Sequence, residues 1–114
     1  MTDALEQARA LFLEGNTHFE AGRPEDALES YRAALSLAPG RPSILANLGI
    51  TQVRLGHWSA AVDTLALATQ ADPTHRDAWL ALAHAHEALQ QWAPAVQALN
   101  QALPLGPPTA ALWL

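Results

Sequence analysis

The sequence predicts an all-α fold, a solenoid of antiparallel helix pairs. Three observations point there. Alanine and leucine dominate the 114 residues, with 25 Ala and 19 Leu, and both are strong helix formers. Apolar residues recur at spacings of three and four, which gathers them on one helical face. The whole pattern then returns every 34 residues. Gly22, Gly56 and Gln90 mark a break, and Ala27, Ala61 and Ala95 follow it. Ala34, Ala68 and Ala102 come one helical stretch later, and Pro39, Pro73 and Pro107 close each unit. A fixed period of this length is the signature of stacked helix–turn–helix units.

The elements follow in order. Asp3, with Glu6 three residues on, forms a capping pair that opens the first helix. Leu5, Ala8, Leu11 (with Phe12) and Gly15 share one face, and Ala21-Gly22-Arg23 ends the helix. Pro24 suits the first turn of the second helix, and Glu25 and Asp26 complement the positive end of its dipole. Ala27, Leu28, Tyr31, Ala34 and Leu35 form its stripe until Pro39-Gly40. Pro42 starts the third helix, with Leu45, Leu48, Gly49 and Gln52 inward and a break at Gly56. Trp58 opens the fourth, with Ala61, Val62, Leu65 and Ala68 inward, and Asp72-Pro73-Thr74 breaks the chain again. The fifth helix carries Trp79, Leu82, Ala83 and His86. The sixth starts near Trp92 and runs through Ala95, Val96, Leu99 and Ala102. Pro104 has no N–H to donate and crowds the preceding turn, so it shortens or kinks this helix. Trp113 repeats Trp79 after 34 residues, so residues 110–114 read as the start of a further or capping helix.

Composition narrows the function classes. The length fits one domain. Half the residues are apolar and 15% are charged, a balance that buries a core. With no cysteine, neither a disulfide framework nor a thiolate metal site can form, which fits a reducing, cytoplasmic setting. There is no lysine, and the six arginines are scattered through a chain of net charge −5. Phosphate neutralisation needs clustered cations, so no nucleic-acid partner is expected. Met1-Thr2-Asp3-Ala4-Leu5-Glu6 lacks the basic and apolar regions of a signal peptide. No apolar run approaches the roughly 18 residues of a membrane span, so no membrane partner is expected.

The repeated positions resemble the tetratricopeptide repeat family over nearly the whole chain. The resemblance implies a single domain over 1–114, a right-handed superhelix with repeats at about 8–41, 42–75 and 76–109. Gly15, Gly49 and Ala83 are small where the helices of a pair cross, and Ala27 and Ala61 are expected opposite them. A larger side chain at such a crossing overpacks, at roughly 1–3 kcal/mol. There are departures from the family pattern. Glu14 stands where the first repeat calls for Leu, and His18, Gln52 and His86 stand where the family prefers Tyr.

Reactive chemistry finds no support. His84 and His86 point about 200° apart on a helix and cannot easily share a metal. No G-x-S-x-G nucleophile and no glycine-rich phosphate loop is present. The chain is therefore expected not to be an enzyme, with no cofactor and no metal. Trp58 and Trp92 are expected to pack the second helix of a pair on the first, and Trp79 to face inward.

The resemblance instead implies a binding groove. The first helix of each pair lines the concave side, and its residues off the core stripe face the ligand. Those are Arg9, Phe12, Asn16 and Phe19, followed by Glu20; Ser43, Asn47, Ile50 and Arg54, with Ala46; and Asp77, Leu80 and His84, with Ala81 and Glu87. Exposed apolar residues along a concave surface suggest a protein or peptide partner. Co-chaperone members of the family grip a terminal carboxylate with cations and asparagines. Asn16 and Asn47 match the asparagines, but Phe12, Asp77 and Ala81 occupy the cation positions, which argues against that ligand. The leading expectation is a non-catalytic interaction scaffold. The alternative is an N-terminal regulatory or substrate-presenting module of a larger enzyme such as a transferase. The apolar end Leu112-Trp113-Leu114 adds a possible homodimer through the C-terminal end.

Overall fold

Asp3 begins the architecture by accepting the N–H of Glu6 on its Oδ1 at 2.8 Å, one half of the expected capping pair. In the computed structural model, which describes residues 3–105, six helices follow. They are α1 (Ala4–Glu20), α2 (Pro24–Leu37), α3 (Pro42–Arg54), α4 (Trp58–Ala71), α5 (Arg76–Ala88) and α6 (Trp92–Ala102). A single 3-10 turn, Leu103–Leu105, ends the described chain, and Pro104 sits inside it. The sixth helix thus stops short, as its proline requires. The expected element at 110–114 lies outside the described residues.

The turn within each pair has one design, used three times. Arg23 N–H reaches back to the His18 carbonyl at 2.9 Å while Gly22 N–H bonds Phe19 at 3.1 Å. His57 bonds Gln52 at 2.8 Å and Gly56 bonds Val53 at 3.0 Å; Gln91 bonds His86 at 2.8 Å and Gln90 bonds Glu87 at 2.9 Å. This nested pair of bonds satisfies the orphan carbonyls at a helix end and needs one left-handed residue. Gly22 and Gly56 supply it at φ 78° and 76°. In the third repeat Gln90 adopts φ 60°, the one non-glycine residue with positive φ in the described chain.

Helices pack as antiparallel pairs, α1 with α2, α3 with α4 and α5 with α6, and each pair leans on the next. The main core joins α3, α4 and α5 through Leu45, Ala46, Ala61, Leu65, Ala68, Ala78 and Leu82, with Ala98 of α6. Ala46 and Ala78 have no exposed surface, and such small residues let α3 and α5 approach directly. The backbones of α1 and α3 make no comparably close approach. Larger side chains stand between them, and the groove opens there.

The structure changes four details of the sequence reading. First, large side chains lie against the two crossing glycines. A Cβ on Gly15 would meet the ring of Tyr31, and one on Gly49 would meet Leu65. Ala27 and Ala61 are fully buried one turn before those contacts. Second, Leu5 is 52% exposed and sits at a rim rather than in the stripe with Ala8 and Gly15. Third, Trp92 is not a buried anchor of its helix; it is 60% exposed. Fourth, Val96 and Leu99 share that outer side, while Ala95, Ala98 and Ala102 form the buried face of α6. The cause is positional. In the repeat before, Trp58 of α4 stacks on His84 of α5 and Val62 packs against the core that α5 joins, whereas α6 has no such helix beside it among the described residues.

Candidate functional site

The inner helices present two hollows between α1 and α3. The first, of about 460 Å³, opens among Leu5, Ala8, Phe12 and Leu13 of α1 and Ala38, Arg41, Ser43 and Ile44 across from it. Glu6 and Arg9 complete its rim. The second, of about 360 Å³, lies further along and is lined by Asn16, Phe19, Glu20, Tyr31, Asn47, Ile50 and Asp77.

A hydrogen-bonded cluster holds the second hollow together. Asn16 Oδ1 accepts both from the Tyr31 hydroxyl and from Asn47 Nδ2, the latter at 2.9 Å. One amide oxygen thus ties α1 to α2 and α3. Tyr31 is 2% exposed, and its ring also meets Phe12 at a centroid distance of 5.9 Å. Burial pushes the Tyr31 hydroxyl above its ordinary pKa; hydrogen bonding from Asn47 opposes this, and the charge of Glu20 adds to it. Asn47 is held from behind as well, since its carbonyl accepts from Thr51 Oγ1 at 2.7 Å. Neighbouring groups shape the rest. The Arg54 guanidinium lies 4.9 Å from the Phe19 ring centroid, over its face. Asp77 pairs with Arg76 at 3.6 Å, both side chains exposed to solvent, so the pair adds little stability.

The structure distributes the sequence-predicted residues as follows. Arg9, Phe12 and Ser43 line the first hollow, and Asn16, Phe19, Asn47, Ile50 and Asp77 line the second. Arg54 borders the second through Phe19. Leu80 is half-buried on α5 and lines neither hollow. His84 stacks on Trp58 at 5.5 Å with 22° between ring planes, so its ring packs against α4. Phe12 is also a packing residue, joined to the clusters around Ile44 and Tyr31. Ala46 is fully buried and offers no groove surface, and Ala81 is partly buried against the main core. Sequence reasoning missed Tyr31 in the second hollow, and Leu5, Glu6, Ala8, Leu13, Ala38, Arg41 and Ile44 in the first. Tyr31 belongs to a second helix and Arg41 to a turn, and the helical pattern of the inner helices could not reveal them. Among the described residues no cluster of three His, Cys, Asp or Glu could hold a metal ion. No helix there is long and apolar enough to cross a membrane.

Stacked helix pairs with a lined inner groove define a helical-repeat module, and comparison with known proteins gives the family. Tetratricopeptide repeat family models match residues 18–73 and 47–110, and the chain belongs to the tetratricopeptide repeat family. It is 33% identical over 95 residues to human tetratricopeptide repeat protein 7A, covering 83% of this chain and 11% of that protein. It is 28% identical over 103 residues to small glutamine-rich tetratricopeptide repeat-containing protein 2 of Mycosarcoma maydis, covering 90% of this chain and 29% of that one. The chain therefore spans under a third of these relatives. Among solved structures, the first TPR domain of Spaghetti, bound to an HSP90 peptide, superposes with a TM-score of 0.87. The two are 23% identical, and the match covers 96% of this chain and 86% of that one.

Proposed function

We propose that this chain is a non-catalytic protein-interaction scaffold that takes a peptide or helix of a partner protein in the groove between α1, α3 and α5. The observation that carries this is the Asn16–Asn47–Tyr31 cluster. It places two side-chain amides at an open hollow, fixed in orientation by their own hydrogen bonds and flanked by Phe19 and Ile50. Preorganised polar groups beside apolar surface suit capture of an extended chain, because the protein loses little freedom on binding. The Spaghetti domain holding an HSP90 peptide supports the same use of this fold. A terminal-carboxylate grip remains disfavoured, since Glu20 and Asp77 put two carboxylates at the hollow. The acidic balance weighs against nucleic acid, and a cytoplasmic setting belongs to the same reading.

Capture of a partner by the intact chain, compared with Asn47→Ala, Ile50→Ala and Leu80→Ala, tests the groove. Capture should weaken while helicity stays intact by circular dichroism. Unchanged affinity in all three variants would overturn the reading. Phe12→Ala is a poorer probe, because removing that ring also disturbs Tyr31 and Ile44.

The outer face of α6 favours a second mode, pairing of two copies through the C-terminal end. Trp92, Val96, Leu99 and Leu103 lie at i, i+4, i+7 and i+11 and are 40–69% exposed. Sedimentation of the wild type and of Val96→Glu would test it. A wild type that stays monomeric at high concentration would remove it.

A further inference from the structure

Resting on that groove reading, we infer that the first hollow is a separate subsite, built for an internal acidic segment of a partner: one large apolar side chain with carboxylate side chains beside it.

The apolar half of the argument is the lining. Phe12 and Ile44 form the inner wall, while Leu5 and Leu13 stand at the rim, 52% and 50% exposed. Two exposed leucines eight residues apart on one helix, facing a hollow of about 460 Å³, leave apolar surface that a side chain of leucine or phenylalanine size would cover.

The electrostatic half is the rim. Arg9 stands on α1 between Leu5 and Leu13, and Arg41 stands opposite at the start of α3. Neither arginine takes part in an ion pair within 4.0 Å among the described residues. By contrast, Arg23 and Arg76 pair with Asp26 and Asp77. Against the two cations the hollow has one carboxylate, Glu6, so its local balance is positive in a chain of net charge −5. The start of α3 adds to this field. It has no acidic residue in its first turn and no side-chain cap, whereas α1 is capped by Asp3. The second hollow has no such excess of cations: of its carboxylates Glu20 and Asp77, Asp77 pairs with Arg76, and Arg54 lies beside Phe19. An acidic stretch is therefore favoured at the first hollow over the second.

The test uses an acetylated, amidated peptide carrying one phenylalanine between two glutamates in an alanine–glycine background. Its partner has lysines in place of the glutamates, and blocked termini remove any terminal carboxylate. Each is titrated into the isotope-labelled full chain, and amide shifts are followed by nuclear magnetic resonance. The glutamate peptide should move the amides of Arg9, Leu13, Arg41 and Ile44, and the lysine peptide should not. Arg9→Ala and Arg41→Ala should each weaken binding about threefold to fivefold, the scale of a partly exposed ion pair. High salt should weaken wild-type binding and bring it towards that of the variants. Equal binding of both peptides would overturn the proposal, as would glutamate-peptide shifts confined to Asn47, Ile50 and Leu80. That last result would leave the groove reading standing. Loss of the groove reading would show instead in partner capture that ignores Asn47, Ile50 and Leu80.

Discussion

Leu65 lies directly on the Cα of Gly49, so close that a β-carbon at position 49 would sit inside the leucine side chain. Leu65 has no exposed surface, and the crowded atoms include its Cγ, which cannot swing away as a chain end could. Gly49→Ala sets two effects against each other. Alanine raises helix propensity by roughly 1 kcal/mol. Overpacking costs roughly 1–3 kcal/mol. The expected net result is a loss of about 1 kcal/mol, seen as a fall of about 4 °C or more in Tm. An unchanged Tm would show that Leu65 has room to retreat.

Gln90 offers the opposite sign. It holds φ 60° where Gly22 and Gly56 occupy the matching turns. A left-handed conformation is strained for a residue with a β-carbon and free of that strain for glycine. Gln90→Gly should stabilise the third pair by about 0.5–1 kcal/mol, with the added entropy of unfolded glycine subtracting from the gain. Hydrogen exchange of α5 and α6 amides would localise the effect. Faster exchange there would contradict it.

Alkaline pH should report on Tyr31. Burial raises its pKa in the folded state, so the native chain keeps that proton more firmly than the unfolded chain does. The associated stability is present below the ordinary pKa of 10.0 and is lost as pH rises through the folded value. Denaturant midpoints should therefore drop above about pH 10 in the wild type. Tyr31→Phe should flatten that slope, even though losing the bond to Asn16 lowers its stability at every pH. An equal slope in the variant would mean that Tyr31 is not the source.

The turn between α4 and α5 should respond to acid. Asp72 Oδ1 accepts from Thr74 Oγ1 at 2.6 Å and from Thr74 N–H at 3.0 Å. These bonds lower its pKa, with the side-chain bond the larger cause. The carboxylate contributes stability above its unfolded pKa, and this is lost as pH falls through the lowered folded value. Thr74→Ala should move the Asp72 titration back towards the ordinary carboxylate range, read from side-chain carbon shifts. No movement would show that the hydroxyl is not the partner that matters.

Much of this fold was written in the spacing of small and turn residues. Pro24, Pro42 and Gly56 locate helix ends by local backbone chemistry alone. Ala8, Ala34 and Leu65 fall on buried faces because a helix turns at a fixed rate per residue. What stayed hidden depends on how far one helix slides along another. That offset brings Tyr31 and Leu65 onto the glycines. It also turns His84 onto Trp58. Which residues border the hollows follows from the spread between α1 and α3, set by the combined bulk of Phe12, Asn16 and Tyr31. Gln52 is a smaller surprise: its buried Oε1 has no partner among the described residues, while His18 and His86 at the matching positions bond Arg23 and Gln91.

The uncovered stripe from Trp92 to Leu103 has a consequence for how such a chain can change over generations. A tandem duplication of one 34-residue unit in the gene would deliver a helix pair whose leading face already suits the surface it meets, as α5 suits α4. Copy number can then rise or fall by whole units without redesign of the remaining ones, because each pair depends only on its immediate neighbours. The same property makes the α6 face a practical splice point for protein engineers. A copied 42–75 unit joined there would lengthen the groove by one inner helix and give a direct measure of the free energy of a single added junction.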